Sequence, residues 1–472
     1  MEPGTFDSLT PSRYVSFTLP IYSVSCPIDY FHTKNLQISV LDSPLQPINS
    51  PQIAAMLVPK HRENDWIFAT ESGHLQLLLG SPGISRLILI GSASNGEISV
   101  GNLYKSSIEN CPIYREKLER SLYPLLMALL PKEIAQLGNV EVPFLSYEDS
   151  VISSVVLERS TGSCVGEMLV EDVEIEGSRR EFRRRLRFKR MPNLIQTEIS
   201  VVPNNGVDDT GLNSLCIEEA EFCLDLGVLV HPYLAPMVAG LSLISGYLQE
   251  CFESKVRPRG LCIGVGGGAL LSFLSLQLGF EVVGIEMDEA VLRIAKQYFG
   301  LQSGNSIQLC LGDGIEILKK VALFDCDNAL SPSVANNAGE EHCKDYFELF
   351  GPKFLVIMVD LDSSDSKMGI SAPALEFLQK DVLLAAKTSL SEHGILVLNV
   401  IPPNGSFYDM LIHELQGVYV DLHEIDCGNG ENFVLIASKT SVTCSNSVSE
   451  NAFLRKLKSV ISGTFVDFIR KM

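Results

Sequence analysis

A run of glycines, Gly264-Val265-Gly266-Gly267-Gly268-Ala269, follows the short apolar stretch Leu261-Cys262-Ile263 and precedes a helix-like segment at 270–278. Between a strand and a helix, such a turn lets a ligand lie against bare backbone. The next apolar run, Glu281-Val282-Val283-Gly284-Ile285, ends at Glu286, about 20 positions beyond the turn, where a carboxylate can accept hydrogen bonds from ribose hydroxyls. A packing turn alone leaves that acid unexplained; an adenosine-bearing cofactor accounts for both.

Gly264-x-Gly266-x-x-Ala269 also fits the dinucleotide fingerprint, so two further strand ends have to choose the cofactor. Ile307-Gln308-Leu309-Cys310-Leu311 closes on Gly312-Asp313-Gly314, where Asp313 can accept the adenine amino group. Phe354-Leu355-Val356-Ile357-Met358-Val359 closes on Asp360-Leu361-Asp362. Ligands of open α/β sheets bind at the carboxyl ends of strands, which lines up Gly266, Glu286, Asp313 and Asp360 along one edge. Acids at these ends suit an amino acid moiety and a sulfonium, and no basic residue is there to support a diphosphate. S-adenosylmethionine fits better than NAD.

These residues need a scaffold. Strands and helices alternate from 260 to about 437, predicting a parallel sheet with helices on both faces and a surface insertion at 325–350. Residues 1–150 read as a mixed α/β unit. It has a strand at 53–59, a helix near 72–79, the buried strand Arg86-Leu87-Ile88-Leu89-Ile90-Gly91 and helical spacing over 114–135. Two alternating runs, 168–175 and 182–188, joined by Glu176-Gly177-Ser178, predict a hairpin, with a third strand at 194–202. The basic cluster at 179–190 tempts a nucleic-acid reading. Its simpler reading is a ribbon whose Phe182, Leu186 and Phe188 share one face while Arg183, Arg185, Arg187 and Lys189 form a solvated one, opposite Glu171, Asp172 and Glu174. Residues 203–213 read as a loop, 233–248 as a helix, and Phe453, Leu454, Leu457, Val460 and Ile461 as the stripe of an amphipathic helix. That stripe is a docking face first, with Lys456, Lys458, Arg470 and Lys471 keeping a membrane surface as the alternative.

Composition sets the outer bounds. The 472 residues allow two or three domains, and 46% hydrophobic against 20% charged residues describe a folded chain. A net charge of −20 repels nucleic acid and anionic membranes and attracts a basic partner. The first residues carry no secretory pattern and no long apolar run occurs, so a cytoplasmic protein without a membrane span is expected. None of the twelve cysteines forms a C-x-x-C pair, so no metal site is expected.

The run Gly264-Val265-Gly266-Gly267-Gly268, with Gly284-Ile285-Glu286-Met287-Asp288, Gly312-Asp313-Gly314 and Met358-Val359-Asp360-Leu361-Asp362-Ser363, resembles the C-terminal half of the dual eukaryotic elongation factor 1A lysine and N-terminal methyltransferases. That half is of the spermidine-synthase-like branch of class I methyltransferases. The likeness extends upstream through Met56-Leu57-Val58-Pro59, Asp65-Trp66-Ile67-Phe68, Pro143-Phe144-Leu145-Ser146, Leu186-Arg187-Phe188, Gln196-Thr197-Glu198 and Met237-Val238-Ala239-Gly240-Leu241.

The resemblance implies a Rossmann-like fold and four divisions. These are an accessory α/β region at 1–150, a β-hairpin module at 151–203, a class I methyltransferase domain at 224–439 and a tail at 440–472. It implies methyl transfer from S-adenosylmethionine to the α-amino group, or a lysine, of elongation factor 1A, and leaves a homodimer open. Cofactor binding falls to Gly264, Gly266, Gly267, Gly268, Glu286, Met287, Asp313, Gly314 and Asp360. In an in-line displacement the amine must be neutral and aimed at the methyl carbon. Asp362 is the candidate to bind it and help take its proton, Asp360 lies nearer the amino acid end of the cofactor, and Asn399, ending Leu396-Val397-Leu398, is the candidate to orient the amine.

Two departures stand out. His231-Pro232-Tyr233-Leu234-Ala235-Pro236 differs from the polar or His-containing family segment, and His231 there reads as a capping or surface residue. The first rival reading is aminopropyl transfer, but spermidine synthases place an acid directly after the triple glycine, where this chain has Ala269, so polyamine activity is expected to be absent. A cofactor-binding scaffold without turnover is the second.

Overall fold

The computed structural model describes residues 4–21, 31, 34–45, 51–93, 101, 103–105, 112–136, 140–177, 180–204, 216–327, 351–362, 372–442, 451–461 and 464–472. Most of the insertion expected at 325–350, the turn at 178–179 and much of the loop at 203–213 lie outside them, as does the Ser363 side of the acidic motif.

The strands that carry the acidic residues form one sheet. β12 (Arg259–Ile263), β13 (Glu281–Glu286), β14 (Ile307–Leu311), β15 (Phe354–Val359) and β16 (Leu390–Val400) are parallel, in the order β14-β13-β12-β15-β16. Strands β12, β15 and β16 are runs of apolar side chains buried on both faces, with Leu261, Ile263, Val356, Ile357, Leu396 and Leu398 fully enclosed, while β14 is a more exposed edge. Helices Ala269–Leu278 and Ser245–Glu253 cover one face, and Gly314–Asp327, Lys380–Ser389 and Gly405–Val418 the other, giving two apolar layers. The sheet is therefore Rossmann-like, as expected, with its order reversing between β12 and β15, where a crevice opens at the carboxyl ends.

The expectation of a wholly parallel sheet is corrected at its edge. β18 (Phe433–Ser438) runs antiparallel to β16, and β17 (Asp421–Asp426) antiparallel to β18. The chain then closes the edge with β19 (Arg470–Lys471) against β17, where Arg470 and Lys471 pair with Glu424 and Asp421. The tail helix Ala452–Val460 buries Phe453 and Leu457 in the sheet's own core, so its stripe is a docking face. Among the described residues no helix is long and apolar enough to cross a membrane.

Upstream, β1 (Tyr14–Pro20), β2 (Asn35–Asp42), β3 (Gln52–Leu57), β4 (Ile84–Ser92) and β6 (Phe144–Leu145) form a mixed sheet in the order β1-β2-β4-β3-β6. Helices Glu71–Leu79 and Pro112–Ala128 pack on its opposite faces. The helical spacing over 114–135 breaks at Pro131, whose ring cannot continue the ladder, before the short helix Lys132–Ala135. Between these two sheets sits an antiparallel one. It consists of β7 (Val151–Gly162), β8 (Gly166–Ile175), β9 (Glu181–Phe188), β10 (Ile195–Pro203), β11 (Phe222–Asp225) and β5 (Leu103–Lys105). The expected hairpin at 151–203 is thus four of its six strands.

The basic ribbon pairs as read, with Glu171 opposite Arg185 and Asp172 opposite Arg184. Its expected solvated face is wrong, however. Arg187 is 5% exposed and its side chain lies between Glu171 at 2.9 Å and Asp65 at 3.0 Å. Arg183 and Arg185 both pair with Glu198, at 2.9 and 2.6 Å. The alternation is that of a strand, but Asp65 of the accessory region and Glu198 of β10 meet the basic side chains, so the charges there are neutralised in pairs rather than hydrated.

A second buried pair fixes the first sheet. Arg86 and Asp42 are both fully enclosed and joined at 2.6 Å, while the remaining Arg86 donors reach the carbonyls of Phe6, Ser8 and Leu129. Removing one partner of such a pair leaves an uncompensated charge, so Asp42→Ala should cost about 3–5 kcal/mol. Urea titration should show a smaller loss in the Asp42→Leu/Arg86→Met double variant; equal losses would contradict this account.

Candidate active site

The glycine turn behaves as its sequence requires. Gly264, Gly266 and Gly268 have φ of +87°, +52° and +82°, a region that favours glycine. A Cβ on Gly264 would lie 2.2 Å from the Asp360 carbonyl oxygen, so the turn and the end of β15 meet as closely as backbone allows. The amides of residues 264–268 are all engaged. Val265 and Gly266 N–H donate to Glu286 Oε2 at 3.2 and 3.3 Å, Gly267 N–H to Thr197 Oγ1 at 2.7 Å, and Gly268 N–H to the Val265 carbonyl at 2.8 Å. A pyrophosphate lying on the turn itself needs such amides free, so the turn together with the acids at the strand ends favours an adenosine cofactor without a diphosphate.

Glu286 ends β13 with Oε1 accepting from Met287 and Asp288 N–H. Burial pushes its carboxyl up, against those backbone hydrogen bonds. Asp313 caps the helix after β14, its Oδ1 accepting from Ile315 and Glu316 N–H at 2.8 and 3.1 Å, while the residue lines the same cavity. Met287 and Gly314 also lie on that wall. The sheet edge thus brings together every residue proposed for the cofactor except Gly267 and Gly268, which form the floor of the turn.

Asp360 is held by two donors. Tyr233 Oη donates to Oδ2 and Asn399 Nδ2 to Oδ1, both at 3.0 Å. Asn399 Oδ1 in turn accepts from Asn432 Nδ2 at 2.9 Å, completing a buried chain from β18 through β16 to the end of β15. Burial pushes the Asp360 carboxyl up and neighbouring Asp362 adds to this, while its two donors oppose them. Asn399 thus orients Asp360 with one of its two N–H donors, while the residue also lines the cavity where the amine was expected to be oriented.

Asp362 is paired. Arg190 Nη2 reaches Oδ1 and Oδ2 at 3.0 and 3.1 Å, with Gln196 Nε2 at 3.4 Å from Oδ2. The Arg190 guanidinium lies over the Phe188 ring, which fixes its approach. Both side chains are about a quarter exposed, so the pair stands at the cavity mouth.

The antiparallel sheet builds the facing wall. Besides Thr197 and Arg190, it sends the β7–β8 turn over the end of β13, where Cys164 and Val165 N–H donate to Asp288 Oδ2 at 2.6 and 3.0 Å. Together the two sheets enclose a cavity of about 1350 Å³.

His231 is not a surface residue. It is 8% exposed, stacked near Tyr233 and set against Glu198, Arg185 and Arg183. Burial lowers its imidazole to about 4, with Glu198 opposing. Sequence reasoning missed Arg190, Thr197, Tyr233 and Asn432 as site residues. Gln196-Thr197-Glu198 was the one available signal for the second of these. Among the described residues no cluster suited to a metal ion occurs.

No family model matches the chain. The protein named "eEF1A lysine and N-terminal methyltransferase" from Xenopus laevis is 27% identical over 376 residues, 77% of this chain and 47% of that protein. Its Homo sapiens namesake is 24% identical over 403 residues, 81% of this chain and 50% of its own. A Drosophila melanogaster homolog is 24% identical over 415 residues, 85% of this chain and 52% of its own. The chain spans about half the length of the curated relatives it matches. Among solved structures, human methyltransferase-like protein 13 in complex with SAH overlaps 50% of this chain and 92% of that one at 22% identity and a TM-score of 0.37. A probable spermidine synthase from Corynebacterium glutamicum overlaps 63% of this chain and 86% of that one at 13% identity and 0.40. Overlaps at those scores carry no weight beside the sheet order and the cavity residues.

The buried imidazole makes stability depend on pH. Because folded His231 is held at about 4 against 6.5 for an ordinary histidine, the unfolded chain takes up the proton first. Its contribution is complete above about pH 6.5 and is lost as pH falls toward 4, by about 1.4 kcal/mol per pH unit. Urea titrations at pH 7.5 and 5 should show a smaller difference for His231→Gln than for the wild type.

Proposed function

We propose that the chain is an S-adenosylmethionine-dependent protein methyltransferase acting on the α-amino group, or a lysine, of elongation factor 1A. The observation that carries this reading is the glycine turn whose amides are all engaged, set beside acids at the ends of β13, β14 and β15. The sequence similarity over about four fifths of the chain to proteins named for that activity supports the acceptor.

When bound, S-adenosylmethionine supplies an electrophilic methyl group on a sulfonium. Glu286 would hold the ribose hydroxyls, Asp313 the adenine amino group and Asp360 the amino acid end. Tyr233 and Asn399 fix the Asp360 carboxyl and favour its charged form against the effect of burial. Asp362 meets the incoming ammonium at the mouth, where partial exposure lets the displaced proton leave to solvent. The neutral amine left at that carboxylate would then be positioned to accept the cofactor's methyl group. Arg190 pairs with Asp362 until the amine competes for it. The net charge of −20 favours encounter with a basic protein. A cytoplasmic location goes with this reading, in keeping with the free thiols of Cys164, Cys216 and Cys223.

Radiolabelled methyl transfer into a cell extract, followed by mass spectrometry of the labelled protein, tests the proposal. The expected label lies on an N-terminal amine, and Asp362→Ala should lower transfer about 100-fold or more. Tyr233→Phe should weaken cofactor binding about tenfold by calorimetry. Undiminished transfer by Asp362→Ala would remove that residue from the mechanism, and cofactor binding without any labelled band would leave a scaffold.

A further inference from the structure

The cavity is larger than one cofactor needs. Small-molecule sites occupy about 300–1,000 Å³, whereas this one reaches about 1350 Å³ and runs past Asp362 to Gln76, Leu79, Gly80 and Asn193. Three of these residues belong to the accessory region, far in sequence from the glycine turn.

Their placement is built rather than incidental. Thr70 caps the helix Glu71–Leu79, its Oγ1 accepting from Gly73 N–H, and Leu77 and Leu78 seat that helix on the first sheet. The helix docks on the β9–β10 turn: Ser72 Oγ donates to the Lys189 carbonyl at 3.4 Å, and Asn193 N–H donates to Gln76 Oε1 at 2.9 Å. The same turn carries Arg190 to Asp362. Gln76 is 8% exposed, and its Nε2, buried at the cavity wall, has no hydrogen-bond partner in the protein. A buried amide donor beside a cavity points to a ligand acceptor, and a peptide carbonyl is one. The charge agrees with a cationic chain. Asp360, Asp362, Glu376 and Glu431 line the cavity against Lys319 and Arg190, the latter already paired.

We propose that Gln76, Leu79, Gly80 and Asn193 bind the extended polypeptide acceptor downstream of its reactive amine, with Gln76 Nε2 donating to a backbone carbonyl. This rests on the methyltransferase reading above and assigns a purpose to the accessory region, which selects acceptors by the chain that follows the amine. An amine with no polypeptide behind it reaches Asp362 without this hold and binds poorly.

Calorimetry on the full chain saturated with S-adenosylhomocysteine tests this without turnover. The probes are a ten-residue peptide from the N-terminus of elongation factor 1A, its N-acetylated form and the dipeptide of the same start. Wild type should bind the decapeptide about tenfold tighter than the dipeptide. Gln76→Glu, which keeps the acceptor for Asn193 but removes the donor, should erase most of that gain, as should Leu79→Ser at the half-buried rim. Affinity for S-adenosylhomocysteine should be unchanged in both. Equal decapeptide binding by wild type and both variants, no gain with length, or no peptide binding at all would overturn the proposal. Should the acetylated and free decapeptides bind equally while both variants still weaken them, the peptide wall stands and the amine reading of Asp362 falls.

Discussion

A single buried hydrogen bond sets the geometry on which the rest depends. Gly267 N–H lies inside the turn at the head of the Rossmann-like sheet, where an unpaired donor is costly. Its acceptor is Thr197 Oγ1, on a strand of the antiparallel sheet. A side chain on Gly267 would strike both Thr197 and Phe299. The turn therefore closes only with the neighbouring sheet in place. That seam brings Arg190 to Asp362 and the β7–β8 turn to Asp288, so one wall of the cavity is never the property of the Rossmann-like sheet alone.

The same seam explains the charge distribution. Opposing charges that the ribbon carries at alternate positions meet across strands and, at Asp65, across to the accessory region. Arg187 sits between Asp65 and Glu171, and Arg183 and Arg185 share Glu198. Such pairs contribute little net stability when formed and cost much when broken. Their effect here is positional: they fix the register of β9 and β10, and with it the turn that delivers Arg190.

Local signals were legible in the sequence, and distant ones were not. The glycine turn, Glu286, Asp313 and Asp360 each follow a buried strand directly, so strand pattern and turn chemistry locate them without tertiary information. Asn399 was found by the same rule, but its hold on Asp360 and its partner Asn432, which enters just before an antiparallel strand, were not, because alternation of strands and helices cannot reveal them. Arg190 was hidden among the ribbon's other basic residues, since nothing local separates an arginine that meets β15 from one that meets β8. His231 was read as exposed because polar type predicts solvent by default, while its burial follows from Glu198 and the seam.

The covalent order of the site's parts has a consequence for how the chain matures. Thr197 and Gly267 are 70 residues apart, Cys164 and Asp288 are 124 apart, and Arg190 and Asp362 are 172 apart. Each of these links closes a long loop, and such closures come late because their entropic cost precedes their reward. The parallel sheet itself carries a comparable cost, since β12 and β15 pair across 96 residues (Gly260 with Val356). The cavity exists only where these distant segments meet, so parting of the two sheets removes a wall of the site without unwinding any one strand or helix.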